Sequence, residues 1–336
     1  MKFLVIRFSS IGDIVLASPV LRCLKKQVAT AEVHFLTKKS FKAVIEANPY
    51  VDKFFYFDKD LREVIEELKK EDYDYVIDLH KNFRSGRIKR ALGKKAYTID
   101  KLDWQKFLLT KLHIDKMPKR HITQRSLDTV AAFGVKDDGL GLDYFIPQKD
   151  HIDISRDLPA SHHAGYIAIV IGASYYTKKL PVHKLRALCA QINHPIILVG
   201  GKEDVKEGEA IAEEDNVKIY NACGKFNLNE SADIVRCAKL VISHDTGFQY
   251  IASAYKKPTI AVWGGTSPKL DVEPYYGTNY MASQKKSPYV NVLVPNLPCQ
   301  PCSKYGTKKC PRGHFKCMEQ QDVYKIIDEV KGYLNN

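Results

Sequence analysis

Short apolar, β-branched runs alternate with helical patterns twice over in this chain, and that rhythm restricts its fold more than any other feature. Runs at residues 3–8, 33–37, 54–57 and 75–79 are separated by helical patterns near 14–27, 40–48 and 61–71. Parallel strands need helical crossovers, so this order predicts a doubly wound parallel sheet. After the polar stretch "PQKDHIDISRDLPASHHAG" the rhythm restarts with "YIAIVIG", "PIILVGG", "VKIY", "KLVIS" and "TIAVWGG". The chain has 336 residues, and a single core rarely grows past about 250–300. Two α/β domains joined near residues 148–164 are therefore expected, with a last helix over 320–334. With 45% apolar and 27% charged residues, disorder is excluded as a class. No run approaches the roughly 18 apolar residues of a membrane span. The N-terminus carries Arg7 and Asp13 in place of a signal-peptide core, so a cytoplasmic protein is expected.

Open α/β sheets bind ligands at the carboxyl ends of their strands, so the turns leaving the strands are the places to look. The first strand runs into "SSIGD", which has too few glycines for a nucleotide fingerprint and delivers a carboxylate, Asp13, at a helix start. A helix cap is one reading of Asp13, because Asp is favoured there. In the second half, "GASYYTKKLP" offers Ser174, Thr177 and Lys178 near Gly172, a spacing suited to an oxyanion. "VGGKED" places Gly200 and Gly201 where backbone can approach a ligand. "SHDTGFQYIASA" puts Asp245, Thr246 and Gly247 at a helix start, and "WGGTSP" adds Gly264, Gly265 and Thr266. Each alone reads equally as a cap or a turn. Four at the strand ends of one domain point to a nucleotide diphosphate.

The chain carries a formal charge of +13, and residues 81–125 hold 14 basic and three acidic residues. Solvated helix faces are one account of such a block. A phosphate-rich partner is the other, because like charges at this density repel. Near the C-terminus, "CQPCSKYGTKKCPRGHFKC" sets Cys299, Cys302, Cys310 and Cys317 in a C-x2-C-x7-C-x6-C array with His314 inside it. The close pair fits a structural zinc, while the wide second spacing fits reduced, packed thiols, and both readings stay open.

Five ordered stretches resemble glycosyltransferase family 9, the heptosyltransferases of lipopolysaccharide synthesis: "MKFLVIRFSSIGDIVLASPVLRCLKKQ", "YVIDLHKNFRSGRIKRAL", "GASYYTKKLPVHKLRAL", "PIILVGGKED" and "VISHDTGFQYIASAYKKPTIAVWGGTSP". The resemblance implies an α/β GT-B fold. Its parts would be an acceptor-binding Rossmann-like domain over residues 1–155, a nucleotide-sugar-binding one over 156–318 with a cleft between, and a helix over 319–336 returning to the first domain. It implies inverting transfer of a heptose from ADP-heptose, without a required metal, to the lipid A–core glycolipid at the inner face of the cytoplasmic membrane. Asp13 would be the general base. Ser174, Thr177, Lys178, Gly201, Asp245, Thr246, Gly247, Tyr250, Gly265 and Thr266 would meet the donor, and Ser10, Gly12, Arg84 and Arg120 the acceptor. Two places depart from the family's pattern: Tyr250 stands where "DTGxxH" has His, and "GGTSP" replaces "GPTDP".

A peripheral membrane enzyme, monomeric and without a nucleic-acid partner, is the leading expectation. The alternatives are a family member using a different nucleotide sugar and, as a competing class, a non-catalytic polyanion or RNA binder on the same scaffold. Phe83, Tyr97, Trp104 and Phe107 are too irregularly spaced in the basic block to form the stacking platform that single-strand binders use.

Overall fold

A computed structural model describes residues 1–335 as two compact units. The first comprises Met1–Lys101, Arg120–Phe145 and Gly277–Ala282; the second comprises Leu102–Lys119, Ile146–Tyr276 and the chain from Ser283 onward. In the first, strands β1 (Lys2–Ile6), β2 (Glu32–Lys38), β3 (Lys53–Phe57), β4 (Tyr75–Asp78) and β5 (Lys95–Thr98) form one sheet in the order β3-β2-β1-β4-β5. Every pairing is parallel. Phe3, Leu4, Val5 and Ile6 of β1 are fully buried, as expected of a central strand covered on both faces.

The second unit carries β6 (Ile167–Val170), β7 (Ile196–Val199), β8 (Ile219–Asn221), β9 (Leu240–His244), β10 (Thr259–Val262) and β11 (Tyr289–Val292) in the order β11-β10-β9-β6-β7-β8, again parallel throughout. In each sheet the strand order reverses beside the first strand, between β1 and β4 and between β6 and β9. Those switch points are where doubly wound folds hold ligands.

The expected strands are all present, and two more lie at sheet edges. β5 is short, begins with Lys95 and is mostly exposed, and β11 is half-buried; edge strands lack the apolar pattern that marks central ones. The helix expected over 14–27 is two helices, Ile11–Val15 and Ser18–Gln27. Pro19 sits in the first turn of the second, where its missing N–H is harmless.

The domain bounds also need correction. Residues 146–155 belong to the second unit because Asp150 accepts from Asn227 (3.1 Å) and Asn229 (3.0 Å), and Asp233 accepts from the backbone N–H of Ile152 (2.9 Å). Residues 102–119 go with it because Leu102, Leu109 and Met117 pack around Leu270. The basic block is thus divided between the units. The last helix, Val323–Leu334, buries Ile326, Ile327 and Val330 in the second unit's core with Leu185, Leu188 and Met318.

Behind β1, the first unit is tied by a buried charge. Arg22, 1% exposed, donates to both oxygens of Asp138 at 2.7 Å and to the Gly141 carbonyl at 2.8 Å, and pairs with Asp143. Removing one partner of a buried pair strands the others without compensation. Arg22→Leu is therefore expected to destabilise the protein by about 3–5 kcal/mol, measured by urea denaturation; a change below about 1 kcal/mol would show that these carboxylates are satisfied by water.

Candidate active site

Two clusters stand at the carboxyl ends of the central strands, one in each unit. In the first unit, β1 ends at Ile6 and Arg7 follows, only 7% exposed. Its guanidinium donates to the Ser9 carbonyl (3.0 Å) and the Leu79 carbonyl, and pairs with Asp13. Asp13 is the third residue of helix Ile11–Val15, so it does not cap from the position before the helix. Its Oδ2 reaches back to accept from the N–H of Ser10 (2.9 Å) and the Ser10 hydroxyl (3.0 Å), the reciprocal half of a capping box. Both readings of Asp13 therefore meet in one side chain: it finishes the helix start, and a third of it stays exposed. Burial works against its charged form, but the Arg7 guanidinium and the two Ser10 bonds outweigh burial and hold the carboxyl at about 2.

His80 follows β4 at the same end of the sheet, its ring 4.5 Å from that of Phe8. Burial, then the positive charges of Arg7 and Lys101, push its pKa down to about 3, so it is neutral, and its Nδ1 is buried without a hydrogen-bond partner. Neither Arg7 nor His80 was among the residues singled out from sequence. The available signal was an arginine closing the apolar run "FLVIRF" and a histidine directly after "YVIDL".

Of the expected acceptor residues, Ser10 and Gly12 flank Asp13. Arg84 is exposed in the first turn of helix Phe83–Leu92, which follows β4. Arg120 is held by Asp128 at 2.6 Å. Part of the basic block is neutralised in place, Lys89 by the fully buried Asp78 (2.8 Å) and Lys94 by Asp72 (2.7 Å).

In the second unit, the turns after β6, β9 and β10 converge on Asp245. Its Oδ2 accepts from Lys178 Nζ at 2.7 Å and from the Thr266 hydroxyl at 2.7 Å, while Lys178 also reaches the Asp245 carbonyl at 3.0 Å. Helix Gly247–Ala254 starts directly beyond, with Thr246 at its N-cap and no side chain capping the first turn. Its first N–H groups and the positive end of its dipole therefore lack a side-chain cap. Gly201 donates to Asp204 (2.9 Å), which also holds Lys179 (2.8 Å), so the "VGG" turn supports the lysine turn. His244, held near pKa 3 by burial and Lys179, accepts from the Leu180 N–H at 3.0 Å. Ser174 is exposed in the turn after β6.

The two departures from the family pattern have local causes. The Gly265 N–H donates to the Thr177 carbonyl at 2.7 Å, a bond that a proline there could not make. A Cβ on Gly264 would lie 2.2 Å from the same carbonyl. Tyr250 is 5% exposed and its hydroxyl donates to the Val272 carbonyl at 2.6 Å. Its size and that bond give it a packing role.

The four C-terminal cysteines come together. Cys299, Cys302, Cys310 and Cys317 line one cavity of about 10 Å³ with Gly264, Gly265, Thr177 and His314.

Residues 61–315 match the family described as glycosyltransferase family 9 (heptosyltransferase). Lipopolysaccharide heptosyltransferase 1 of Campylobacter coli is 25% identical over 99% of this chain and 99% of its own. The structure of E. coli ADP-heptose lps heptosyltransferase II superposes with a TM-score of 0.72 at 16% identity, covering 99% of this chain and 98% of that one. That of an E. coli heptosyltransferase with ADP-2-deoxy-2-fluoro heptose gives 0.67 at 17%, over 98% and 100%. The paired doubly wound sheets are thus those of heptosyltransferase structures, and with three quarters of its length matched, the chain belongs to glycosyltransferase family 9.

Proposed function

We propose that this enzyme transfers a heptose from ADP-heptose, with inversion and without a required metal, to a hydroxyl of the lipopolysaccharide inner core, with Asp13 as base. The observation that carries this reading is a partly exposed carboxylate kept ionised at the switch point of the first sheet. A relative of the same fold is named for its complex with a fluorinated ADP-heptose. The second unit offers what an ADP-sugar needs: Lys178 and the uncapped start of helix Gly247–Ala254 for the phosphates, and Thr266 beside them. Departure of the ADP leaves positive charge on the anomeric carbon. Asp13 faces that charge with a full negative one and takes the proton of the attacking hydroxyl, which grows acidic as its bond to carbon forms. Arg84 and Arg120 serve the phosphates or carboxylates of the acceptor, for which Arg is geometrically suited.

The acceptor is a lipid, and the second unit has a surface for it. Trp104 (66% exposed), Phe107, Leu112 and Ile114 stand out of segment 102–119 among Lys111, Lys116 and Lys119. Trp104 and Phe107 stack at 5.5 Å. Aromatic and aliphatic side chains fringed by lysines are what a peripheral protein inserts into an anionic leaflet. No described helix is long and apolar enough to cross a membrane.

Three measurements test this. Asp13→Asn should lower transfer by 10²–10⁴-fold, as is usual on losing a general base, while ADP affinity, measured by calorimetry, stays unchanged; retention of more than about a tenth of the activity would end the assignment. Because the substitution also takes the carboxylate from Arg7, it should cost about 1–3 kcal/mol of stability, less than a fully buried pair.

The pH profile separates Arg7 from Asp13. With the carboxyl held at about 2, kcat/KM should show no acid limb due to Asp13 down to the pH at which the protein unfolds. Arg7→Met removes the opposing charge and leaves burial set against the two Ser10 bonds, so the carboxyl should rise from about 2 toward its ordinary value of about 3.9. An acid limb should then appear near about pH 4; an unchanged profile would refute the coupling.

Co-sedimentation with vesicles addresses the lipid surface. Binding to vesicles containing phosphatidylglycerol should fall at least tenfold in Trp104→Ser/Phe107→Ser, with hydrolysis of ADP-heptose in solution unaffected; equal binding by the double variant would place the contact elsewhere.

A further inference from the structure

The cysteine loop is the largest piece of chemistry that the transfer reaction leaves unused. From Cys299 to Cys317 the chain has no strand and reaches helix only at Lys316–Glu319, yet it is bent sharply enough to bring all four thiols around one cavity. Gly306 (φ 90°), Gly313 (φ 73°) and Phe315 (φ 47°) take left-handed conformations, which for Phe315 is unfavourable by about 1–2 kcal/mol. The volume of about 10 Å³ is room for one water-sized particle. Its lining includes the four sulfurs, the His314 imidazole and Arg312. Cys310 Sγ accepts from the Phe315 N–H at 3.4 Å, and His314 Nε2 lies 3.7 Å from Cys299 Sγ.

We propose that Cys299, Cys302, Cys310 and Cys317 bind one zinc or iron ion through four thiolates, and that this ion fixes the turn carrying Lys178. Tetrahedral sulfur sets of this kind select those metals. Among the described residues no three of these ligand atoms lie within 4.8 Å of one another, whereas thiolates on one tetrahedral ion stand roughly 3.8 Å apart given a metal–sulfur bond of about 2.3 Å. Binding therefore draws the ring inward and tightens the loop.

The loop is bonded to the Lys178 turn by a chain of hydrogen bonds. The Cys302 N–H donates to the Gly265 carbonyl (3.0 Å), the Gly265 N–H to the Thr177 carbonyl (2.7 Å), the Thr177 N–H to the Thr307 carbonyl (3.2 Å), and the Thr307 N–H to the Thr177 hydroxyl (2.8 Å). Lys178 is the next residue. Its role as a donor-phosphate contact rests on the proposed function; the metal site itself does not.

The test is elemental analysis of the full-length protein, purified anaerobically without chelators, together with calorimetric titration by ADP. About one zinc or one iron per chain is expected, the element deciding between the two. Cys302→Ser and Cys310→Ser should each lose it, whereas Asp13→Asn should keep it. Stripping the metal with a chelator should lower Tm and weaken ADP binding at least about fivefold, the small end of ordinary coupling between sites, and adding back the ion should restore both. Wild-type protein that contains neither metal, titrates eight free thiols and binds ADP tightly would overturn the metal site while leaving the donor reading intact. Metal present without any ADP binding would instead overturn the coupling and the donor reading. Should the serine variants fail to fold, the metal content of the wild type still decides.

Discussion

Parallel pairing around a buried central strand is the constraint on which the rest depends. Because β1 and β6 each lie inside their sheets and every neighbour runs the same way, all strand ends of one kind face one edge. Side chains leaving those ends are gathered without any direct instruction in the local sequence. Arg7 and His80 are 73 positions apart in the chain, yet both leave strands that are hydrogen-bonded to each other. Lys178 and Asp245 are brought together in the same way by β6 and β9. The apolar register therefore does more than stabilise: sliding β4 by one residue against β1 would turn Asp78 and His80 to the opposite face.

At the first of these edges the electrostatics are set by Arg7. A guanidinium 7% exposed cannot lose its charge, so it needs acceptors, and it has two carbonyls and the Asp13 carboxylate. The consequence is a carboxylate with a pKa of about 2 beside a histidine held neutral. So acidic a carboxyl is a weak proton acceptor in the ground state. It suits a reaction in which positive charge develops on carbon before the hydroxyl gives up its proton, because stabilising that charge needs a permanent anion more than a strong base. Neutral His80 adds no competing cation at this edge.

Much of the fold was legible because it rests on patterns with a fixed period. The buried strands read as continuous apolar runs, and the expected ones were found where those runs lie. β5 and β11 escaped because an edge strand has only one paired side and tolerates residues such as Lys95. The break at Pro19 was written in the sequence but hidden by an apolar periodicity that continues across it. Asp13, Lys178, Asp245 and Thr266 were legible as residues at strand ends. Their partners were not, since Arg7 looks like any charged residue until β1 is known to be buried on both faces. Tyr250 was legible only as a motif position; that its hydroxyl donates to the Val272 carbonyl follows from the fold. The segment 102–119 followed the basic block in sequence and its own apolar contacts in space.

The donor turns carry a further consequence of pairing. Lys178 and Asp245 neutralise each other at 2.7 Å with both side chains largely buried. An isolated ammonium there would be costly to desolvate, and the carboxylate removes that penalty while no anion is present. On the donor reading proposed above, an incoming diphosphate competes with Asp245 for the lysine, bringing two negative charges and a second set of partners in the N–H groups at the start of helix Gly247–Ala254. Thr266 also bonds Asp245, so on that reading a carboxylate released from Lys178 keeps one partner and is available to the hydroxyls of a sugar. The pair would then supply, once separated, one group for phosphate and one for sugar, whereas a neutral residue in place of Asp245 would leave the lysine unpaired.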